Sequence, residues 1–277
     1  MINQQYLWLT FVTVISISIL SGVLSYFQIP YQFYIWELFI DMKIAALTLL
    51  LLFLYKKNAI QISNIKTLLL NWSWKKNILY FFFPLLLFVF VIATGVLLKE
   101  ITFNKLDNAP TLILATLFDI PAIFVFSVTS LLVEEIFFRG FVLTTIQQLR
   151  SQWQGIILTS LLWTVYCFSE IIGLQGITIF KFITALLFFF SIGILCSIIV
   201  DKYKSVWFGY SLRIGLITLS PILLTSLLSE SDSFFTTESL LFDAEGVIFS
   251  ILILAVSFIL LKTINIIPKL IEEKIED

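Results

Sequence analysis

Eight apolar runs of about 20 residues divide this chain, each long enough to cross the hydrocarbon core of a bilayer as a helix. They fall near Tyr6 to Phe27, Gln32 to Tyr55, Ile78 to Leu98, Thr111 to Val133, Gly155 to Ile172, Ile179 to Val200, Ser205 to Leu228 and Val247 to Ile267, with Pro268 expected to end the last. Inside a bilayer each backbone polar group needs a partner within the chain, so such runs are read as helices. Composition agrees: 60% of the 277 residues are hydrophobic, mean hydropathy is +1.04 and only 13% are charged, against about a quarter in soluble domains. The predicted fold class is all-α, a polytopic membrane bundle of about eight transmembrane helices. The first run follows an uncharged lead, is too long for a signal-peptide core and has no small-residue cleavage site, so it is expected to remain as an anchor.

The basic residues orient the bundle. Lys56, Lys57, Lys66, Lys75 and Lys76 lie between the second and third runs with no acidic residue among them, which places that connection in the cytoplasm. Alternation then puts Arg139, Arg150, Lys202, Lys204, Lys262, Lys269 and Lys274 on the same side, twelve basic residues against Lys99, Lys105 and Lys181 opposite. The outer side also receives residues 229–246, with Glu230, Asp232, Glu238, Asp243 and Glu245 and no basic residue. A multi-pass protein of the cell membrane with both termini cytoplasmic is the expectation, and the lysine, Ile, Phe and Asn bias suggests a bacterial plasma membrane. Between Asn64 and Lys76, Leu68, Leu69, Leu70, Trp72 and Trp74 lie between lysines, as in a helix lying in the cytoplasmic interface; an ordinary loop with aromatic anchors is the plainer alternative. Residues 1–110 are read as N-terminal transmembrane helices with an interfacial segment near 56–77, residues 111–228 as the core, and 229–277 as acidic outer loop, last helix and tail.

A net charge of -1 gives no reason to expect nucleic acid, so the expected partners are membrane lipid and another membrane or cell-envelope protein. The two cysteines, Cys167 and Cys196, lie in apolar runs and imply no disulfide framework. Against this background Glu134-Glu135-Ile136-Phe137-Phe138-Arg139-Gly140 stands out, because charges at a membrane edge are costly and mark candidate sites. On a helix Glu135 and Arg139 share a face while Glu134 points about 100 degrees away. Arg139 can therefore pair with Glu135, leaving Glu134 to face a cavity and activate a water. A charged cap locking two helices is the plainer alternative. The segment beyond, from Ile136 to Leu149, reads as a short re-entrant or interfacial helix. No histidine exists in the chain to serve as proton shuttle or metal ligand. Glu37, Asp41 and Lys43 on the second run and Asp119 on the fourth need partners inside the bundle; a proton path for a small transporter is one reading, helix-to-helix pairing the preferred one.

Glu134-Glu135-x-x-x-Arg139-Gly140 at the end of a membrane run resembles the first motif of the CPBP family, also called Abi or type II CAAX endopeptidase-like, which includes prenyl-protein endopeptidases, bacteriocin-processing and self-immunity proteins and the lysostaphin-resistance protein A group. The resemblance covers Glu134 to Ile217. The family's second motif, Phe-x-x-x-His, corresponds to Trp163 and Cys167 within Thr159-Ser160-Leu161-Leu162-Trp163. Its third, His-x-x-x-Asn or Asp, corresponds to Arg213 and Ile217 after Ser205-Val206-Trp207. In active members the resemblance implies that the first glutamate and the second-motif histidine activate water, while third-motif residues steady the oxyanion. Losing the proton partner costs roughly 10² to 10⁴ in rate, and losing an oxyanion donor on the order of 10² to 10³.

Three substitutes are conceivable at these positions. Arg213 can act as oxyanion donor, Cys167 as a nucleophile if Arg213 lowers its pKa, or Glu134, Glu135 and Cys167 as a metal set, though tight zinc sites want more nitrogen or sulfur ligands than this set brings together. A structural salt bridge from Arg213 to Glu134 is the preferred reading, with no cofactor assigned. The sequence thus favours a pseudoprotease that acts as scaffold or regulator of a membrane or cell-envelope partner. The alternatives are an active glutamate-dependent intramembrane endopeptidase in peptide maturation or bacteriocin self-immunity, and a small transporter.

Overall fold

The apolar runs become helices, and their polar ends decide where each one stops. In the computed structural model residues 4–26, 34–57, 62–103, 130–168, 178–223, 225–226, 235–237 and 246–273 are described. They form α1 (Gln4–Tyr26), α2 (Tyr34–Lys56), α3 (Ile62–Leu70), α4 (Trp74–Leu97), α5 (residues 130–149), α6 (Gln152–Tyr166), α7 (Ile179–Tyr203), α8 (Val206–Leu223) and α9 (Val247–Glu273). The fold is all-α. Among the described residues α1, α4 and α7 contain stretches long and apolar enough to cross a membrane, and Val206–Ile217 and Val247–Lys262 are shorter apolar helices. Most of the expected run from Thr111 to Val133 lies outside the described residues, as does Asp119, and the side chains of Glu37 and Asp41 are likewise outside them.

Helix α4 packs along α8, α7 lies against both α6 and α9, and α1 touches α2 and α6. At the α4–α8 crossing a Cβ added to Gly215 would overlap the Phe81 carbonyl oxygen and sit 2.9 Å from its carbonyl carbon. Glycine is thus required for the two backbones to touch, the usual device for close helix approach in membranes. The core centres on Phe88, Phe137, Phe138, Trp163, Tyr166, Phe208 and Phe249, with Phe88 and Phe249 stacked at 4.6 Å. Leu79, Phe82, Leu86, Val89 and Phe90 on the outer side of α4 are exposed, as suits a helix that faces acyl chains.

Several boundaries differ from the sequence expectation. The segment 136–149 is no separate re-entrant or interfacial helix: residues 130–149 run without a break, with Ile136–Val142 π-wound and Leu143–Leu149 α-helical again. Phe137 to Val142 are all buried, so packing on every side holds this stretch inside the bundle. Helix α6 starts at Gln152 rather than Gly155, because Ser151 and Gln154 form a reciprocal capping box, and it ends at Tyr166 with Cys167 as its C-cap. Helix α8 stops at Leu223, short of Leu228. Helix α9 continues through Pro268 to Glu273; a proline removes one helical hydrogen bond and bends a helix without having to end it. Three short strands, which the apolar runs gave no sign of, join one end: Ile101–Phe103 (β1) pairs antiparallel with Phe235–Thr237 (β3), which pairs parallel with Thr225–Ser226 (β2).

At the other end the expected interfacial helix over 64–76 is split. It runs only from Ile62 to Leu70, and Trp74 to Lys76 already belong to α4. The break is caused by Asn71, whose polar groups are engaged elsewhere. Its side-chain amide donates to the Tyr203 carbonyl at 2.6 Å and the Lys204 carbonyl at 3.4 Å, and its own carbonyl accepts from Ser205 Oγ at 2.5 Å. The Trp207 indole adds a bond to the Leu69 carbonyl at 2.7 Å. Together these bonds fasten the α3–α4 turn to the α7–α8 turn, where Lys204 adopts φ 49, a left-handed conformation uncommon for a non-glycine residue. Asn71→Ala should lower stability by about 1 kcal/mol, the value of a typical hydrogen bond, read as a reduced thermal midpoint in detergent; an unchanged midpoint would show that the turns hold without it.

Candidate functional site

Glu134 and Glu135 close the α-wound part of α5, and the π turn begins at the next residue. Single π turns inside α-helices are frequent at functional sites. Arg139 sits within this turn, fully buried, its Nη1 3.2 Å from Glu135 Oε1. That distance makes an ion pair but not an aligned hydrogen bond: among the described residues Arg139 Nε, Nη1 and Nη2 and Glu135 Oε2 have no hydrogen-bond partner. The side-chain spacing expected for Glu135 and Arg139 is therefore present, with the alignment of a regular salt bridge lost.

Arg213 arrives from α8, 78 and 79 residues away in sequence. Its Nη2 donates to Glu134 Oε2 at 2.6 Å and its Nη1 to Glu135 Oε1 at 3.1 Å, so one guanidinium spans both carboxylates. Glu134 is 7% exposed, Glu135 0% and Arg213 7%, which places the pairs out of bulk water, where charge-assisted bonds are short and strong. Space for the Glu135 carboxylate comes from Gly209, one turn before Arg213, whose added Cβ would lie 2.9 Å from Glu135 Oε2.

Trp163 completes the arrangement. Its ring centroid lies 4.6 Å from the Arg139 guanidinium carbon and 4.8 Å from that of Arg213, so two cations share one buried indole. Such contacts contribute about 2 kcal/mol or more when desolvated. Gly193 of α7 admits the indole, since a Cβ there would stand 3.2 Å from Trp163 Cε3 and 3.1 Å from Ser160. The sequence frame marked Trp163 only as a replacement for phenylalanine. Its service to two guanidiniums is a property of the folded bundle, and the one available signal was its place four residues before Cys167.

Cys167 is 1% exposed at the end of α6. Cys167 and Cys196 are buried without a disulfide, both within electrostatic range of Arg213, and Cys196 donates weakly to the Gly209 carbonyl at 3.8 Å. Ile217 is 40% exposed and apolar. Among the described residues no three His, Cys, Asp or Glu side chains are grouped to hold a metal ion, so the set Glu134, Glu135 and Cys167 is not assembled as one. Lys43 of α2 is buried, its ammonium 4.1 Å from the Tyr166 ring centroid. Of the sequence candidates, the structure brings together Glu134, Glu135, Arg139 and Arg213.

Residues 115–216 match the family model described as type II CAAX prenyl endopeptidase Rce1-like, a stretch that contains all four of these residues together with Trp163 and Cys167. Over that stretch the chain is similar to the type II CAAX endopeptidase-like proteins of the CPBP family. The CPBP match ends one residue before Ile217. No curated protein matches the sequence. Within the matched stretch Arg213 bonds both carboxylates, and its guanidinium and that of Arg139 both lie over the Trp163 ring.

Proposed function

We propose that this membrane protein is a catalytically impaired member of the CPBP family and serves as a scaffold or regulator of a membrane or cell-envelope protein. One observation carries the reading: Arg213 donates to both Glu134 and Glu135. A general base needs a carboxylate free to hold water and a partner to pass the proton on. Here Glu134 Oε2 is held by a permanent cation, and the chain has no histidine to act as the partner. A buried ion pair of this kind has an evident structural use, fixing α5 against α8. The lysine distribution supports a cytoplasmic position for both termini in a bacterial plasma membrane.

The family-model match and the retained Glu134 favour one other reading, an active glutamate-dependent endopeptidase in peptide maturation or bacteriocin self-immunity. The Glu134→Gln variant separates the two. As a scaffold, the purified variant should fold, retain co-purification of its partner, and differ from the parent in no peptide-cleavage assay. Cleavage by the parent that disappears in Glu134→Gln would overturn the scaffold reading and support the enzyme.

A further inference from the structure

We propose that the rim where α3, α4 and the α7–α8 turn meet is a binding site for the headgroup of an anionic phospholipid. Residues 62–77 and 200–207 together hold Lys66, Lys75, Lys76, Lys202 and Lys204 against a single carboxylate, Asp201. Asp201 is buried and engaged by the Gln152 amide and by Lys204 Nζ at 2.8 Å, so it does not offset the surface charge of the other lysines. The Lys76 and Lys202 ammoniums converge on one ring, 4.8 Å and 5.4 Å from the Tyr203 centroid.

The rim is also built at the right level and held in place. Trp72 and Trp74 are 46% and 70% exposed, with centroids 5.7 Å apart, and exposed indoles beside lysines belong in the headgroup zone. Trp72 is braced edge-on by Trp207 at 4.8 Å. The Asn71, Ser205 and Trp207 bonds lock the two lysine-bearing segments together, so binding has little ordering cost to meet. Basic pockets between membrane helices are the sites that take anionic lipid headgroups. Because the indoles and the exposed Leu70 flank the lysines, the phosphate comes from a bilayer lipid rather than from solution.

The test is native mass spectrometry of the purified full chain in mild detergent with phosphatidylglycerol or phosphatidylcholine of identical acyl chains. Phosphatidylglycerol should be retained preferentially, and inorganic phosphate should not displace it. Neutralising a headgroup lysine should weaken retention about five-fold, and Lys76→Gln with Lys202→Gln about twenty-five-fold. Lys99→Gln with Lys181→Gln, at the opposite ends of α4 and α7, should leave it unchanged. Should the rim double variant fail to fold, Lys75→Gln, an exposed lysine of the same rim, should still give the five-fold loss. Equal retention of the two lipids, displacement by phosphate, or losses no larger than for the Lys99 and Lys181 pair would overturn the proposal.

Discussion

Arg213→Met should destabilise the bundle by about 3–5 kcal/mol, the cost of leaving a buried charge without its partner. Two carboxylates, not one, lose their main donor in this variant: among the described residues Glu134 keeps no other donor and Glu135 keeps only the misaligned Arg139. Adding Glu134→Gln to Arg213→Met should recover part of the loss, because a neutral amide is less costly to bury than an unpaired carboxylate. Glu134→Gln alone also breaks a pair, but retains the Arg213 bond to Glu135 and should cost less. The check is thermal or denaturant unfolding in detergent for the two single variants and the double. A full additive loss in the double variant would mean that Arg213 and Glu134 do not act as a pair, and with it the structural account of the site would fail.

Gly215→Ala should be nearly as damaging, at about 3 kcal/mol, the upper end of overpacking penalties. The added methyl meets the Phe81 backbone, which has no rotamer to escape through. Helices α4 and α8 would have to move apart, pulling on the Ser211 to Asn77 bond of 3.0 Å and on the Trp207 bond to Leu69. Gly155→Ala is the informative contrast. There the methyl overlaps the Gln147 side chain, which can rotate away, and the expected loss is about 1 kcal/mol or less. Fluorescence-detected size-exclusion chromatography after graded heating should rank them in that order; equal midpoints would show that the α4–α8 approach is looser than described.

The spans of α1, α4 and α7 were legible to within a few residues, because an apolar run of bilayer length leaves few alternatives to a helix. What hid the other boundaries was polar chemistry of longer range. Ser151 and Gln154 extended α6 through a local box, but Asn71 divided the interfacial helix through partners 132 and 133 residues away, which no window of sequence contains. The site divides in the same way. Glu134, Glu135 and Arg139 were visible as charges at the end of an apolar run, and Arg213 came into register only through the motif frame. Trp163 and Gly209 were missed as site residues because their roles, a shared ring face and a missing methyl, exist only once α5, α6 and α8 are side by side.

The pairing of Glu134, Glu135, Arg139 and Arg213 has an electrical consequence. A membrane potential does work of about 2.3 kcal/mol per elementary charge per 100 mV on any charge that crosses the field. Two guanidiniums and two carboxylates gathered around Trp163 sum to zero, so a voltage exerts no net force on the quartet, however deep in the field it lies. Once folded, these four residues form a cluster that the resting potential of a cell neither pulls nor pushes as a whole.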